Sequence, residues 1–487
     1  MNLEQFFRYD RRRSLFPLDS TAILLKGGEK EIRDYVYNSI FNQGKPSAGF
    51  LPGVVSFANK DKYHLRKVYI LDPLASFYLY DFVLRNALSF QKQASSKRQF
   101  FGYSFQGNSI VNAFNDYHQF RRKKYDLKKN YKYYVRADIS NCFSSFYHHD
   151  IVSHLSHIVS GPESIQFGQY LREIAGGRTI DCLPQGYFPA KAIGNKLLSF
   201  TEQSRALRSS AIIRFIDDYF LFSGRMSTLE QDILSLQHVL SDMSLQLNSA
   251  KTRLGSSEED FEDRDLDPIK KRLLSKREKS RNIEYEEEDE EDNDETRLTE
   301  EEQEYLINIL RNPMVPEEDI ELALSLLSVD LDVFMTVVES VMTKYPHLIK
   351  TLYTKVAEVD DKGKLWASIR SKSKDKKATE FELFWLTRMI LDHYDFDDRS
   401  ATILHRIYAH QNTTEVVRAA ILETEENGYG LEEIKRQTLR NCGASLEGVA
   451  AAVGLRKTEK ARRNHAYKYA AKSGEQMALY IKVLFKF

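Results

Sequence analysis

The stretch RFIDDYFLF, residues 214–222, constrains the fold of this chain more than any other segment. Its apolar residues have the composition of β-strands, and Asp217 and Asp218 lie where a tight turn would connect two strands. Asp tolerates turn geometry, so the tip of a β-hairpin is one interpretation. Two adjacent carboxylates repel each other, however, and Asn-Gly or Asp-Gly would form such a turn at a lower cost. Because a bound cation would remove the repulsion, the stretch indicates either a plain hairpin tip or a metal site built on one.

The length and composition are those of a globular protein with a substantial core. The 487 residues suggest roughly two to three domains, and the hydrophobic fraction of 42% is ordinary for such proteins. No apolar run reaches about 18 residues and no signal-peptide pattern is found, so we expect no membrane partner and a cytoplasmic location. Cys142, Cys182 and Cys442 are far apart and form no CxxC motif, which argues against a zinc site and a disulfide framework.

Charge is distributed unevenly along the chain, although the formal net charge is +0. Residues 284–305 hold 14 of the 70 acidic residues and one of the 70 basic residues, which leaves 69 basic and 56 acidic residues elsewhere. A basic body with an acidic segment suits a polyanionic partner. Solvated surface charge is the alternative interpretation.

Changes in residue pattern divide the chain into three parts. Residues 1–258 mix strand-like and helical stretches, such as YKYYVRADI and LEQDILSLQHVLSDM. Residues 259–300 contain a basic run and then the acidic run, so we expect an exposed, mobile linker or a long surface loop. Residues 301–487 show one amphipathic helix pattern after another, which suggests an α-helical repeat domain. Its last segment, residues 459–487, is basic with interleaved tyrosines and either touches nucleic acid or packs as a terminal helix.

A third aspartate and two further motifs accompany the adjacent pair in a fixed order. Asp138 follows the extended run YKYYVRA and is expected at a strand end. The segment LPQGYFPAKAIGNKLLSF comes next, then the pair of aspartates, and then NSAKT with Lys251. This order, carried by ADISNCF, LPQG, FIDDY and NSAKT, resembles the palm of reverse transcriptases over roughly residues 60–255.

The resemblance implies an α+β fold, in which a reverse-transcriptase-like palm and fingers are followed by an all-α helical-repeat domain. Residues 1–60 would be the N-terminal segment of the fingers, and residues 61–258 the fingers and palm. The charged linker or loop would then span residues 259–300, and the helical-repeat domain residues 301–487.

The resemblance also implies a catalytic centre made of Asp138, Asp217 and Asp218. Asp138, Asp217 and Ile139 are assigned to the metal site, and Asp218 is the adjacent supporting carboxylate. The expected cofactor is a pair of Mg²⁺ ions, with Mn²⁺ as an alternative, because Mg²⁺ prefers oxygen ligands and keeps several waters. In such a site the ions lie about 3.5–4 Å apart, and they activate the attacking hydroxyl and screen the pyrophosphate leaving group.

Three further residues are assigned to nucleotide binding near this centre. Phe143 would stack beneath the sugar and exclude a 2′-hydroxyl, so that the substrate is a dNTP, and packing in the core is the alternative. Gln185 and Gly186 would line the nucleotide and primer side of the active site. Asn195, on the helix that follows, is either part of the polar edge of that helix or a surface residue.

Three cations are also assigned to nucleotide binding. Lys251 resembles the lysine placed near the triphosphate, and an exposed lysine is the alternative. In HLRKVYILDP, Arg66 is the candidate for gripping the triphosphate and Lys67 is its alternative, since Arg forms bidentate phosphate contacts. A surface ion pair is the other interpretation of these two residues.

A palm followed by a long helical domain resembles the bacterial abortive-infection (Abi) polymerases of the AbiK type, which include prophage-encoded members. The motifs DISNCFSSFYHHDI and RFIDDYFLF carry this closer resemblance. It implies a Mg²⁺-dependent DNA polymerase that is protein-primed, works without a template and acts in anti-phage defence. The implied partners are dNTPs, covalently attached DNA and further copies of the chain in a trimer or hexamer. Asn195 departs from the AbiK pattern, which weakens the expectation of template independence.

Protein priming requires a hydroxyl that can reach the metal site, and a tyrosine phenol suits this role. Tyr9, Tyr35 and Tyr37 are the N-terminal candidates, of which Tyr9 is preferred, and buried aromatic packing is the alternative for each. Two other functions stay open. One is a template-dependent, retron-like reverse transcriptase with an RNA partner, and the other is a non-catalytic nucleic-acid-binding or toxin protein, against which the three carboxylates argue.

Overall fold

Two compact units make up the part of the chain that the structure describes. The structure is a computed structural model, and it describes residues 1–42, 48–92, 97–257, 268–283, 298–311, 317–326, 331–357, 359 and 362–487. Unit 1 comprises residues 1–14, 24–53 and 69–263, and unit 2 comprises residues 15–23, 54–68 and 264–487. None of the described helices combines the length and the apolar character needed to cross a bilayer.

One five-stranded sheet and two small two-stranded sheets contain the strands. In the described residues these are β1 (Val54–Asn59), β2 (Leu65–Ile70), β3 (Arg98–Phe101), β4 (Phe105–Gln106), β5 (Ser109–Ile110), β6 (Tyr133–Asp138), β7 (Ala211–Phe215), β8 (Asp218–Ser223) and β9 (Arg253–Ser256). The large sheet has the order β3-β7-β8-β6-β9, with β3 parallel to β7 and the other pairs antiparallel. The two predicted strand regions, YKYYVRADI and AIIRFIDDYFLF, are confirmed as β6 and as the β7–β8 hairpin.

Helices form the rest of the regular structure. They are α1 (Leu3–Arg11), α2 (Ser20–Tyr35), α3 (Pro73–Arg85), α4 (Ala113–Asn130), α5 (Cys142–Ser145), α6 (His148–Ser156), α7 (Gly161–Ile174), α8 (Phe188–Leu197), α9 (Phe200–Gln203), α10 (Met226–Ser241), α11 (Pro268–Ile283), α12 (Glu300–Arg311), α13 (Glu317–Leu326), α14 (Leu331–Lys344), α15 (Ile349–Val356), α16 (Gly363–Lys372), α17 (Glu380–His393), α18 (Asp398–Tyr408), α19 (Glu415–Leu422), α20 (Leu431–Asn441), α21 (Leu446–Gly454), α22 (Lys460–Ala470) and α23 (Glu475–Leu484). The described residues also include a π-helical segment, Val36–Ile40, and the short 3₁₀ helices Ala87–Phe90 and Pro346–Leu348.

One hydrophobic cluster of unit 1 lies between the large sheet and helix α4. Phe120 and Leu127 of α4 pack with Ile213 of β7 and with Phe220 and Phe222 of β8. Successive side chains of a strand point to opposite faces, so every second residue of β8 faces α4. This packing fixes the strands whose ends carry the predicted catalytic aspartates.

Alternate helices of unit 2 pack on one another in two rows. The odd-numbered helices from α11 to α23 form one row, in which each packs on the next odd-numbered helix, and α12, α14 and α16 form part of the second row. This stacking is typical of an α-solenoid, in which each repeat buries its apolar face on its neighbours. The predicted fold class, an α+β part followed by an all-α helical domain, is confirmed.

Two N-terminal segments belong to unit 2 rather than to the unit that surrounds them in sequence. In residues 15–23, the Phe16 ring packs edge-to-face on Phe384 of α17 at 5.1 Å between centroids. In residues 54–68, the Phe57 amide donates to Glu380 Oε2 at 3.0 Å. The predicted boundaries at residues 60 and 258 follow sequence order, whereas the compact units interleave along the chain.

The predicted linker or loop of residues 259–300 is described only in part, because residues 258–267 and 284–297 lie outside the described residues. Within it, the basic run forms helix α11 rather than a loop. Leu273 of α11 is buried, and Lys276 Nζ lies 2.6 Å from Glu302 Oε2 of α12. The basic run therefore forms a helix because it has an apolar residue to bury and a carboxylate partner.

Candidate active site

Two of the three predicted catalytic aspartates face each other across neighbouring strands. Asp138 ends β6 and Asp218 begins β8, and the antiparallel register places them directly opposite. Side chains in such a pair project to the same face, with Cβ atoms about 4.5–5.5 Å apart. Asp217 lies in the two-residue turn between β7 and β8, and its carbonyl oxygen accepts a hydrogen bond from the Ile139 amide at 3.3 Å. The three aspartates thus meet at one corner of the sheet, which we call the acidic corner.

Burial and neighbouring charge disfavour the charged forms of Asp217 and Asp218. Burial raises the pKa of Asp217 to about 6, and the charges of Asp218 and Asp138 add to the shift. Burial likewise raises the pKa of Asp218, with a further rise from Asp138 that Arg136 and Lys124 oppose. Carboxylates that repel one another at a partly buried site are typical of functional centres that bind cations.

Asp138 is held from the side of β9 by the NSAKT motif. The Asn248 amide donates to the Asp138 carbonyl oxygen at 2.7 Å, and Asn248 Nδ2 donates to Asp138 Oδ2 at 3.3 Å. Lys251 Nζ lies 3.2 Å from Asp138 Oδ1 while its own side chain is half exposed. Lys251 therefore lies at the acidic corner, and its contact with a triphosphate stays a prediction. The sequence reasoning missed Asn248, although it lies in the motif that carried the resemblance.

A fully buried arginine supports the turn from the opposite face of the sheet. Arg214 of β7 forms an ion pair with Glu202 of α9, and both side chains are buried. Its Nη1 donates to Asn195 Oδ1 at 2.7 Å and to the Ile216 carbonyl oxygen at 2.6 Å. Asn195 is fully buried, so the interpretation that made it a surface residue is wrong.

The turn that carries Asp217 has an unusual backbone. Ile216 has a φ of 56°, in the left-handed region that β-branched residues rarely adopt. A residue in such a conformation costs about 1–3 kcal/mol and persists only where its surroundings impose it. The hydrogen bond from Arg214 to the Ile216 carbonyl is one such constraint. The sequence signal for this support was the arginine itself, a charge inside a strand of otherwise apolar residues.

The residues assigned to the sugar and primer side lie together in unit 1. The half-buried Phe143 ring lies against α8, where a Cβ added to Gly194 would be 2.9 Å from Phe143 Cε1. Gln185 Nε2 donates to Ser144 Oγ at 2.8 Å, next to Phe143 in the sequence. Gly186 has a φ of 115°, which favours glycine at this position. This packing agrees with either interpretation of Phe143, as a residue beneath the sugar or as part of the core.

Arg66 and Lys67 lie on β2, within the segment that belongs to unit 2. Arg66 is exposed and Lys67 is half buried, and their contact with a triphosphate stays a prediction.

Tyr9 lies on α1 with its ring against Phe188, at 6.3 Å between centroids, and with the Arg13 guanidinium 3.6 Å from the ring centre. Its hydroxyl is buried, and burial raises its pKa. This environment matches the alternative of aromatic packing, and priming by Tyr9 would require α1 to move.

The donor chemistry of the acidic corner suits a divalent cation, because carboxylate oxygens are the hard ligands that Mg²⁺ prefers. Across the described part of the chain, no group of three or more His, Cys, Asp or Glu side chains is placed to hold a metal ion. One oxygen of Asp138 is paired with Lys251. Metal binding by Asp138, Asp217 and Ile139 stays a prediction.

Residues 85–289 match the family model described as reverse transcriptase (RNA-dependent DNA polymerase). The matched segment contains Asp138, the β7–β8 hairpin and Lys251. This part of the chain is therefore similar to a reverse-transcriptase domain. Polymerases of the reverse-transcriptase family generally use divalent metal ions.

Two telomerases are among the solved structures that match this chain. The telomerase from Candida albicans, in complex with a TWJ fragment of telomeric RNA, is 9% identical with a TM-score of 0.31, over 77% of this chain and 64% of that chain. The apo telomerase from Candida tropicalis is 10% identical with a TM-score of 0.32, over 80% of this chain and 73% of that chain. This chain thus matches less than two thirds of the Candida albicans chain, and similarity at this level carries no argument about function. No curated protein matches the sequence.

Proposed function

We propose that this chain is a Mg²⁺-dependent DNA polymerase of the abortive-infection class that primes synthesis on one of its own tyrosines. It would extend DNA from dNTPs without a template and act in anti-phage defence in the cytoplasm. The observation that carries the polymerase part is the meeting of Asp138, Asp217 and Asp218 at one corner of the sheet. The motifs DISNCFSSFYHHDI and RFIDDYFLF, together with a helical domain after the palm, support the class.

The reaction joins a hydroxyl oxygen to the α-phosphorus of a dNTP and breaks the bond from that phosphorus to the pyrophosphate oxygen. The hydroxyl proton passes to solvent. Divalent cations bound at the acidic corner would activate the hydroxyl and screen the pyrophosphate. The residues of the chain hold the catalytic carboxylates in place. Asn248 donates to Asp138, and Arg214 donates to the Ile216 carbonyl next to Asp217, which lies in the turn of the β7–β8 hairpin. A site on a rigid hairpin keeps its geometry better than a site on a loop.

The proposal assigns separate roles to residues outside the acidic corner. Phe143 would exclude a 2′-hydroxyl, Tyr9 would be the priming residue, and Arg66 would grip the triphosphate with Lys67 as the alternative. The stacked helices of unit 2 would serve the assembly of a trimeric or hexameric homo-oligomer, which is the arrangement that the Abi resemblance implies. Covalently attached DNA would be the product.

A template-copying reverse transcriptase with an RNA partner is the second candidate. The family model that matches residues 85–289 is described as an RNA-dependent DNA polymerase, which favours this candidate. Asn195 also departs from the AbiK pattern. An RNA that co-purifies with the protein and is copied into cDNA of defined sequence would favour it over untemplated synthesis.

The deciding experiment incubates the purified full chain with each labelled dNTP and Mg²⁺, without template or primer, and separates the products on a denaturing protein gel. We expect label to migrate with the protein as a ladder of increasing mass. Asp217→Asn should abolish the label, since it removes a carboxylate of the acidic corner. Asp242→Asn is the matched control, because Asp242 is exposed at the end of α10 and lies outside the acidic corner.

Four outcomes separate the hypotheses. Label that stays on Asp217→Asn, or protein that remains unlabelled and of unchanged mass, contradicts the proposal. Label that appears only after a template RNA is added supports the second candidate. Loss of protein-bound label in Tyr9→Phe, with extension of an added DNA primer retained, would identify Tyr9 as the primer.

A further inference from the structure

Helix α4 lies on the same face of the large sheet as the acidic corner. Phe220 and Phe222 of β8 pack against Phe120 of α4, and Asp218 precedes them at the same two-residue spacing. Because alternate residues of a strand share a face, Asp218 projects toward the side that α4 covers. Lys124 of α4 also lowers the pKa of Asp218, which shows that its charge reaches the carboxylate. A nucleic acid strand approaching the acidic corner on this face therefore passes near α4.

The solvent side of α4 carries two tyrosines and two cations in alternation. Tyr117, Arg121, Tyr125 and Lys129 follow one another at four-residue spacing, and all four are exposed. Residues four apart are neighbours on a helix surface, so they form one continuous row, here called the tyrosine–cation row. The two rings are 41% and 53% exposed, and Lys129 Nζ lies 4.2 Å from the centre of the Tyr125 ring. At 1.5 Å per residue the row is about 18 Å long.

One end of the tyrosine–cation row lies at the catalytic turn. The Tyr117 ring packs edge-to-face on Phe215, with 4.9 Å between centroids. Phe215 is the last residue of β7 and directly precedes the Ile216–Asp217 turn. The row therefore begins beside the acidic corner and leads away from it.

The charge of α4 complements a polyanion. Its sequence, AFNDYHQFRRKKYDLKKN, contains six basic and two acidic residues. One of the two, Asp116, is buried, accepts a hydrogen bond from the Gly102 amide and pairs with Lys92. The charge of Asp116 is compensated inside unit 1 by Lys92. Asp126 is the other acidic residue of α4 and is exposed, so basic residues outnumber acidic ones on the solvent side of the helix.

We propose that the tyrosine–cation row binds single-stranded nucleic acid and guides the strand to or from the acidic corner. Exposed aromatic rings stack with unpaired bases, and cations between them contact the backbone phosphates, a combination typical of sequence-independent single-strand binding. DNA and RNA share this chemistry. The inference rests on the proposed polymerase function for the identity of the strand, whereas the binding itself is measured without any reaction.

The test measures the binding of fluorescein-labelled oligo(dT) and oligo(rU) to the full chain by fluorescence anisotropy, without dNTPs. We expect Arg121→Glu/Tyr125→Ala to weaken binding about tenfold or more, since it removes a stacking platform and reverses a charge. The slope of log K against log salt should also fall in magnitude, by about 0.7 for each phosphate that the variant no longer neutralises. The milder variant Arg121→Gln should also weaken binding, to a smaller extent. It replaces the double variant in the test if the double variant does not fold.

Arg440→Glu/Tyr429→Ala in unit 2 is the matched control, because both residues are exposed and lie outside the tyrosine–cation row and outside the basic segment 459–487. It should change the affinity less than twofold. Equal losses in the two double variants, a larger loss in the control variant, or unchanged binding in the α4 variants would overturn the proposal. A loss confined to oligo(dT) identifies the strand as DNA, and a loss confined to oligo(rU) identifies it as RNA. If the chain incorporates no dNTP but its nucleic-acid binding still depends on the tyrosine–cation row, the polymerase function is refuted and this inference stands.

Discussion

Replacing Arg214 with Met tests whether the buried network supports both the stability of unit 1 and the catalytic turn. The substitution keeps an unbranched side chain of similar length but removes the charge and all donors. Glu202 then stays buried without its cation, and the Ile216 carbonyl and Asn195 Oδ1 each lose a donor. Breaking a buried ion pair from one side typically costs about 3–5 kcal/mol.

The magnitude follows from the size of unit 1. For a domain of this size, 1 kcal/mol shifts Tm by about 2–4 °C, so the Arg214→Met transition should move down by about 6–20 °C. Adding Glu202→Leu removes the uncompensated carboxylate, and we expect the double variant to recover about 2 kcal/mol or more, because replacing a whole buried pair by apolar residues is often close to neutral. Arg253→Met, at an exposed position of the edge strand β9, should change stability by less than about 0.5 kcal/mol.

A measurement of activity distinguishes the role of Arg214 in positioning the catalytic turn from its role in stability. The double variant regains stability but still lacks the donor to the Ile216 carbonyl, so its dNTP incorporation should stay well below that of the unchanged chain at a temperature where both are folded. Thermal unfolding followed by circular dichroism gives the stability, and the denaturing gel assay gives the activity. A double variant as unstable as Arg214→Met, or one with full activity, would refute the reasoning.

Three further predictions concern other parts of the molecule. In metal-free protein the pKa of Asp217 is raised to about 6, so the folded state binds more protons than the unfolded state between pH of about 4 and 6. Stability should fall as pH rises through this window, and Asp217→Asn should flatten that fall in denaturant titrations. Phe143→Ala should raise incorporation of rNTPs relative to dNTPs, while Gly194→Ala, which crowds the Phe143 ring, should lower dNTP incorporation without that gain. Glu423→Ala should destabilise unit 2 by about 3 kcal/mol in urea unfolding, because it leaves the amides of Asp19 and Ser20 and the Ser20 hydroxyl without their acceptor.

The parts of the fold that local patterns encode were predictable from the sequence. Strand composition around residues 133–138 and 211–223 gave β6 and the β7–β8 hairpin, and the aspartates lie at the strand ends and turn that this pattern requires. The helical character of the second half followed from its apolar periodicity. Strand composition and apolar periodicity depend only on residues close in sequence, so they predict strands and helices without knowledge of tertiary contacts.

Contacts between distant parts of the chain were not predictable in this way. Ser20 donates to Glu423 across 403 positions, and nothing near either residue indicates its partner. The pairing of Glu202 with Arg214 and of Lys276 with Glu302 likewise depends on which helices the fold brings together. A charged residue within an apolar stretch of the sequence indicates that a partner exists, because a buried charge is costly without one. Only the fold identifies that partner.

The interleaving of the two units has a consequence for synthesis on the ribosome. Phe16 leaves the ribosome hundreds of residues before Phe384, the ring against which it packs. At about 5–20 residues per second, that delay lasts on the order of 20–70 s. During this interval the segments 15–23 and 54–68 have no completed unit to join, so a nascent chain exposes apolar surface that chaperones recognise. Unit 2 can fold only after the helices of residues 264–487 have emerged. The N-terminal segments 15–23 and 54–68 therefore reach their folded positions only when the C-terminal half of the chain has been made.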